Sequence, residues 1–284
     1  MKVHVLKLKN KELNFEIGMY LCSLLNKLFK QMDFSYGNQL SSSKLKDGEF
    51  YLSLPVINNN ISFNFIESYI RELEKEHINQ LFNYLKLNNL DNCNLTKQEQ
   101  KAFNLIKTNK IKFEEYKLID ILNWQFQKEI DPLKINLLTV NSLNKYPFYG
   151  QATVNNGVIS YESLNANVLN NKTSKPTILI HSNNQNCIYL ETPFYLKDGH
   201  GATSVLQNDY LNELNAHFII TCIKKVITEK FSYNEKATKI ALKNTIIKLP
   251  VNKNNQVDYD FMNTYIKSIE KIIIKKVINW LDER

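Results

Sequence analysis

The sequence predicts an α+β fold, in which a mixed α/β domain is flanked by two long helices. Short apolar, β-branched runs at residues 177–180, 187–190 and 218–221 are typical of strands. Two segments, 63–92 and 258–284, instead carry apolar residues at spacings of three and four, which places these residues on one helical face. An internal duplication relates the two helices to each other.

Each long helix ends one copy of the duplicated unit. Five short matches occur in the same order at offsets of 195 to 201 residues, which indicates domain duplication rather than a solenoid. The first copy contains nothing that corresponds to roughly residues 115–202. The matches are Glu12-Leu13-Asn14 with Glu213-Leu214-Asn215, Cys22 with Cys222, the Phe-Ser-Tyr triplets at 34–36 and 231–233, Leu54-Pro55-Val56 with Leu249-Pro250-Val251, and residues 65–70 with 261–266.

The apolar stripes of the two helices predict a coiled-coil seam. Ser62 and Asp258 precede the helices at equivalent positions, and both residue types cap helix N-termini. His77 occupies the position of Ile273, so we interpret it as a seam residue rather than a ligand. The predicted seam positions are Tyr69, Leu73 and Leu81 in the first helix and Ile266, Ile269, Ile273, Val277 and Trp280 in the second.

The region between the repeated segments begins with a helix and continues with strands. Thr96 and Glu99 have the spacing of a capping box, which predicts a short helix that runs to about Thr108. Turns are expected at residues 155–157 and 198–201, because Asn and Gly tolerate the backbone angles that tight turns need.

Composition sets limits on the class of protein. The 284 residues are 43% hydrophobic and 23% charged, as in globular proteins of one large or two modest domains. The net charge of +8 suits a nucleic-acid partner, although a charge this small on a chain this long is weak evidence. No apolar run approaches the roughly 18 residues of a membrane helix, so we expect no membrane partner.

The cysteines and the N-terminus favour a cytoplasmic protein. The N-terminal residues are interrupted by lysines and do not form a signal peptide. The cysteines lie far apart and form no CxxC pair, which indicates reduced thiols rather than disulfides or a zinc site. They are Cys22, Cys93, Cys187 and Cys222.

The sequence contains no Walker loop and no GxGxxG, HExxH or GxSxG motif, and we therefore expect no catalytic residues, no metal and no cofactor. One alternative is an enzyme for a small polar substrate. Asp198 and His200, in a turn with two glycines, could perform acid–base chemistry. We favour a tight turn whose glycines adopt positive φ, because spacing ties no second carboxylate or nucleophile to these residues.

Loop amides and lysines provide the chemistry for reading DNA. Amide side chains can bond the adenine edge, and lysines can bind guanine acceptors or phosphates. The candidates for base contact are Gln151, Asn155, Asn156, Asn183, Asn184, Lys197 and His200, and the candidates for phosphate contact are Lys236 and Lys239. The only arginines, Arg71 and Arg284, lie in or beyond the helices. We therefore predict that guanine is read by lysine or through water, or is scarce in the target.

Several segments together resemble the target-recognition domain of type I restriction–modification specificity subunits and of related two-subunit type IIB enzymes. They are residues 147–151, 155–161, 231–233, 246–251 and 257–266. The resemblance implies that residues 1–62 are the C-terminal remnant of a first recognition domain and 63–92 a conserved spacer helix. It further implies that residues 93–257 are a complete recognition domain and 258–284 a second conserved helix, which pairs antiparallel with the first.

The resemblance also implies a function. It is that of a non-catalytic subunit that reads a bipartite site in double-stranded DNA and binds methyltransferase subunits, with a restriction subunit as a further candidate partner. Two such chains could pair into a homodimer that reads a palindromic site. A truncated paralogue that only scaffolds methyltransferase subunits is an open alternative.

Overall fold

A computed structural model describes residues 4–9, 11–32, 34, 37–48, 50–232 and 234–282. The chain divides into an N-terminal unit, residues 1–92 with 280–284, and a C-terminal unit, residues 93–279. The mixture of helices and strands confirms the α+β prediction. Within the described ranges, no helix has the length and apolar character needed to cross a membrane. Ser35, Tyr36 and Tyr233 of the repeated triplets and Arg284 lie outside the described residues.

The N-terminal unit is mainly helical. Asn14 caps α1, because its side-chain oxygen accepts the N–H of Ile17 at 3.0 Å. Ser62 precedes α3 but makes no side-chain cap bond, so its predicted capping role is wrong in this respect. The elements are α1 (Phe15–Gln31), α2 (Ser42–Asp47), the antiparallel strands β1 (Val56–Ile57) and β2 (Asn60–Ile61), and α3 (Phe63–Leu87).

The C-terminal unit alternates short helices and strands before its long last helix. Its elements are α4 (Lys97–Lys107), β3 (Phe113–Lys117), α5 (Leu118–Ile121), β4 (Asn123–Trp124), β5 (Glu129–Ile130), α6 (Ile135–Leu138), β6 (Tyr146–Tyr149), β7 (Val158–Glu162), β8 (Thr177–His181), β9 (Cys187–Leu190), β10 (Tyr195–Lys197), β11 (Thr203–Gln207), α7 (Glu213–Lys230), α8 (Lys239–Lys243), β12 (Ile246–Pro250) and α9 (Tyr259–Asp282).

The strands of the C-terminal unit form three sheets. One four-stranded sheet has the order β5-β10-β6-β7, with β10 parallel to both β5 and β6. A second has the order β4-β11-β8-β9 and is antiparallel throughout. The strands β12 and β3 form an antiparallel pair. The loops that leave β6, β8 and β10 carry most of the candidate DNA-contact residues.

Local capping agrees with the sequence at both ends of the C-terminal unit. Thr96 Oγ1 accepts the N–H of Glu99 at 3.2 Å, and a Glu99 carboxylate oxygen accepts the N–H of Thr96 at 2.7 Å. This confirms the predicted capping box. The Asp258 carboxylate accepts the N–H of Phe261 at 2.9 Å, so Asp258 caps α9 as expected.

One predicted strand is a helix. Residues 218–221 lie inside α7, although their β-branched side chains favour a strand locally. Asn212 and Asn215 form a capping box at the start of α7. The apolar residues at spacings of three and four then continue to Ile223 and Ile227, which are fully buried. Burial of one complete helical face outweighs the intrinsic preference of four residues.

The main core of the C-terminal unit lies where α7, α9 and the β3–β12 pair meet. Ile219, Ile223, Leu249 and Met262 are buried there. Ile266, a predicted seam residue, packs against this core and is only partly accessible.

The other seam positions are at least partly exposed. Tyr69, Leu73, Leu81, Ile273 and Trp280 are exposed, whereas Ile269 and Val277 are half-buried. The pairing of the two helices as a coiled coil stays a prediction.

Candidate nucleic-acid interface

Four loops of the C-terminal unit lie together, and we call this surface the loop face. A hydrogen bond from Asn184 Nδ2 to the Gln151 carbonyl, 3.0 Å long, joins two of the loops. The N–H of Ser182 donates to the Ala202 carbonyl at 2.8 Å, and the Ser182 carbonyl accepts from the N–H of Ala237 at 3.2 Å. The loops comprise residues 150–157, 182–186, 198–202 and 236–240. The topology therefore brings together candidates that are up to 88 residues apart, from Gln151 to Lys239.

The loop face contains an open cleft of about 650 Å³. Asn183, His200, Lys236 and Lys239 all line it. It therefore brings an amide, an imidazole and two ammonium groups to one concave surface. Such a combination can bind phosphate oxygens and base edges at once.

The carboxylate of Glu129 holds the turn at residues 198–201 through two backbone N–H groups. Glu129 Oε2 accepts the N–H groups of Gly199 and Gly201 at 3.1 and 3.0 Å. His200 and Gly201 have positive φ of 53° and 76°, as expected for a tight turn. One carboxylate oxygen of Glu129 therefore holds the backbone of the turn at two positions.

The His200 side chain is almost completely accessible, with 96% of its surface exposed. Its Nδ1 lies 3.5 Å from Asp198 Oδ1. The backbone N–H of His200 bonds the same carboxylate at 2.8 Å and lowers the pKa of Asp198. Asp198 is thus ionised and engaged in the turn. The geometry is that of a solvated loop histidine, and enclosure of the kind that supports acid–base catalysis is not seen around it.

The lysines of the loop face differ in how they are held. Lys239 Nζ donates to Gln127 Oε1 at 3.0 Å. The same nitrogen lies close to Gly201, 3.7 Å from the position that a Cβ on this glycine would occupy. Lys236 is exposed in the segment before α8, and Lys197 is exposed at the end of β10. These lysines present positive charge along the same surface as the amides.

The amide candidates fall into two groups. Asn184 uses both polar atoms within the protein, because its Oδ1 accepts the N–H of Asn186 and its Nδ2 donates to Gln151. Gln151 Oε1 and Asn183 Oδ1 are buried without a hydrogen-bonding partner among the described residues. A buried acceptor without a partner is costly, but because both oxygens are shielded from solvent, a donor from outside reaches them only after the loops rearrange.

Asn155 and Asn156 make a different kind of contribution. Both have φ of 50°, and Asn155 Nδ2 donates to the Val158 carbonyl at 3.2 Å. They are exposed at the far end of the 150–157 loop, and their role in shaping that loop is local. The structure does not place them in the cleft.

A buried histidine supports the loop face from behind. His181 ends β8, and its Nδ1 lies 2.9 Å from Thr203 Oγ1 on β11. Burial lowers the pKa of His181 to about 4, so the ring is neutral near pH 7. Its Nε2 also lacks a hydrogen-bonding partner in the part of the chain that the structure describes. The loop that carries Asn183 therefore begins at a buried, uncharged residue.

Sequence reasoning did not identify the residues that fix these loops. Gln127 and Glu129 hold Lys239 and the 198–201 turn, yet they lie 112 and 72 residues away from Lys239 and Gly201. No local motif signals that contact. Within the described ranges, no group of three or more His, Cys, Asp and Glu side chains could hold a metal ion.

Comparison with known families identifies the class of protein. Residues 110–279 match the model of the family described as Type I restriction modification DNA specificity domain. The match spans more than half of the chain, and the chain belongs to this family. It includes all four loops of the loop face.

Solved structures show related subunits at low identity. The S subunit of a type I restriction-modification system from M. genitalium is 14% identical, with a TM-score of 0.44 over 85% of this chain and 65% of that chain. The HsdS subunit from Thermoanaerobacter tengcongensis is 11% identical, with a TM-score of 0.38 over 94% of this chain and 64% of that chain. The chain thus spans just under two thirds of the length of these subunits. Comparison with curated proteins gives no match.

Proposed function

We propose that the chain is a specificity subunit that recognises double-stranded DNA through its loop face. In this proposal it directs methyltransferase subunits, and a restriction subunit where present, to a bipartite site. The observation that carries the proposal is the family match over residues 110–279, which contains the whole loop face. The chemistry would be performed by the partner subunits, and this chain would supply the sequence specificity.

The loop face offers two kinds of DNA contact. Lys236 and Lys239 suit phosphates, which give affinity that falls with salt. Gln151 and Asn183 carry buried acceptors that lack partners within the described residues, and these would accept an exocyclic amine of adenine or cytosine once DNA binding uncovers them. Arg71 is engaged by Glu16 at 2.8 Å. We therefore predict that a guanine in the target is read by lysine or through water, or that guanine is scarce there.

The exposed apolar positions on α3 and α9 support a second part of the proposal. Tyr69, Leu73 and Ile273 leave 49%, 36% and 55% of their surface exposed. Pairing of α3 with α9 as an antiparallel coiled coil, docking of methyltransferase subunits, or a homodimer would bury such residues. The coiled coil is the arrangement that we propose.

The direct test is co-expression of the full chain with the neighbouring methyltransferase, followed by long-read sequencing of genomic methylation. A new methylated bipartite motif is the expected result. Stable co-purification without a new motif would instead support a subunit that only scaffolds methyltransferases. If neither complex nor motif appears and His200→Ala abolishes turnover of a small substrate, the enzyme alternative would replace the proposal.

A further inference from the structure

The connection between β4 and β5 carries an unusual exposed aromatic residue. Phe126 is 90% exposed, although aromatic side chains usually contribute to cores or interfaces. It belongs to the C-terminal unit, which has a large core only a few residues away: Leu122 is buried at 1% exposure. The accessible ring therefore has no packing role within the described chain.

The residues on either side of Phe126 are anchored, Gln125 through its backbone and Gln127 through its side chain. The N–H of Gln125 donates to the Val205 carbonyl at 2.8 Å, which ties that residue to β11. On the other side, Gln127 Oε1 accepts from Lys239 Nζ at 3.0 Å, and its Nε2 bonds Glu129. An exposed ring between two anchored residues is presented to solvent from a defined position. This differs from a side chain on a loose loop.

Phe126 is next in sequence to a residue that contacts the loop face, and it does not itself line the cleft. Its neighbour Gln127 contacts Lys239, and Lys239 lines the cleft together with His200. The residue after Lys239 is Ile240, which is also strongly exposed at 77% and lines the same cleft. Gln127 and Lys239 form the hydrogen bond that positions the Lys239 ammonium group. Each of them is adjacent in sequence to an exposed apolar residue, Phe126 and Ile240 respectively.

Exposed apolar side chains beside an ammonium group are better suited to contact stacked DNA bases than to remain exposed to water. Phe and Ile are among the residues that proteins insert between base steps, and aromatic rings stack on the faces of all bases. An ammonium group beside such a residue neutralises phosphates of the distorted backbone. A protein partner would also cover an apolar ring, but the adjoining lysines and amides favour a polyanion.

We propose that Phe126 enters the base stack of bound duplex DNA as an apolar wedge and unstacks a neighbouring base. This inference rests on the proposed function, because it requires that the loop face binds duplex DNA. It adds a base-stacking site to the hydrogen-bonding contacts and predicts local distortion of the DNA.

The test uses the full chain and a duplex of about 30 base pairs, roughly three helical turns, that the chain enriches from a randomised pool. Adenines of the duplex are replaced one at a time by the fluorescent analogue 2-aminopurine, whose emission rises when it leaves the stack. Binding is followed separately by fluorescence anisotropy. Phe126→Ala and Phe126→Trp are compared with the wild type. Leu133→Ala is the matched control, because Leu133 is equally exposed at 90% in the same unit.

The wild type and Phe126→Trp are expected to raise the emission at one position or two adjacent positions. Phe126→Ala is expected to lose this signal and to bind about 5- to 150-fold more weakly, the range that corresponds to loss of one base–aromatic stack. Leu133→Ala is expected to match the wild type. All variants should keep the thermal midpoint of the wild type, because both residues are exposed.

Three results would overturn the inference in distinguishable ways. If Phe126→Ala binds and brightens the probes as the wild type does, the wedge is wrong and the proposed function is unaffected. If Phe126→Ala leaves both DNA signals unchanged but reduces co-purification with the methyltransferase, the ring contacts protein. If the wild type binds no duplex at all, the proposed function fails together with the inference.

Discussion

The two copies of the duplicated segment share their local geometry but differ in what covers them. In each copy the residue before the long helix donates its N–H to a proline carbonyl: Ser62 to Pro55 and Asp258 to Pro250, both at 2.9 Å. The first turn of each helix then buries one residue completely, Ile66 and Met262. The stacked ring pairs are Phe65–Tyr69 at 6.2 Å and Phe261–Tyr265 at 6.4 Å, and the edge-to-face pairs are Tyr20–Tyr69 at 6.2 Å and Phe218–Tyr265 at 5.8 Å.

The difference lies in the helices that precede them. In α1 only Ile17 is buried among the described residues, whereas α7 buries a whole face that includes Ile219, Ile223 and Ile227. Helix α7 packs on β9 and β12, and no equivalent sheet accompanies α1 in the described part of the N-terminal unit. A repeated sequence therefore determines a helical face, and the sheet that covers the face must come from other residues.

The largest predicted effect concerns an ion pair that the second copy alone buries. Lys271 Nζ bonds Glu99 Oε2 at 2.8 Å and the Asn94 carbonyl at 3.1 Å, and Glu99 is almost fully buried. We expect Lys271→Met to lower the free energy of unfolding by about 3 kcal/mol, because it leaves a buried carboxylate without its partner. This is the low end of the range for buried pairs, since Lys271 itself keeps about a quarter of its side chain exposed. Denaturant unfolding followed by circular dichroism measures the change.

The matched control in the first copy is Arg71→Met, which removes a pair with Glu16 whose arginine side chain is 63% exposed. We expect a much smaller effect there, because exposed pairs are screened by solvent. Equal losses for Lys271→Met and Arg71→Met would contradict the difference in burial between the copies.

The same ion pair predicts a dependence on pH. Burial acts to raise the pKa of Glu99, but hydrogen bonds from Lys271 and Thr96 outweigh burial and keep the pKa below its ordinary value of 4.5. A lowered pKa in the folded state stabilises the protein above pH 4.5, and this contribution is lost as the pH falls through the folded-state value. The free energy of unfolding of Lys271→Met should therefore fall less than that of the wild type as the pH decreases below 4.5.

The next prediction compares lysines beside the equivalent short helices. We expect Lys236→Ala with Lys239→Ala to weaken binding to duplex DNA about tenfold and to reduce the slope of log affinity against log salt by about 1.8, from about 0.9 per phosphate. The control is Lys44→Ala with Lys46→Ala in α2 of the first copy, which should leave both quantities unchanged. Fluorescence anisotropy over a salt series measures them. Equal effects of the two pairs would place DNA binding outside the loop face.

The smallest effect on stability is expected at the seam. Ile273 is exposed, so Ile273→Asp should change the free energy of unfolding by no more than about 0.5 kcal/mol. The same substitution should abolish co-purification with the methyltransferase, because it would place an unpaired charge on an exposed apolar position that the proposed docking of the partner subunit would bury. Ile273→His is the milder control, since the first copy carries His77 at this position. An intact complex with Ile273→Asp on size exclusion would contradict docking of the methyltransferase on this face of α9.

The sequence predicts much of the fold because capping and periodicity are local. The Thr96–Glu99 capping box, the Asp258 cap and the strands around residues 177–180 and 187–190 follow from a few adjacent residues. Residues 218–221 could not be assigned from propensity, because their state depends on the core that α7 covers. For the candidate site as well, local features could be predicted from the sequence and long-range placement could not.

Gln151, Asn183, Lys236 and Lys239 could be selected by residue type and loop position, and the structure brings them to one loop face. Their relative placement depends on contacts such as Gln127 with Lys239, which join distant parts of the chain. The local turn at Asn155 and Asn156 gave the correct backbone conformation but not a place in the cleft. Local signals therefore predict loops, and the sheet topology decides which loops meet.

The most direct test of the central claim is selection of DNA by the full chain from a pool of randomised duplexes. We predict that the wild type enriches a defined motif, and that the double variant Gln151→Ala with Asn183→Ala loses preference at one or two positions of that motif while it still binds DNA. Enrichment of the same motif by both proteins would contradict base reading by these side chains. Failure of the wild type to enrich any motif would contradict the assignment of the loop face as a DNA-reading surface.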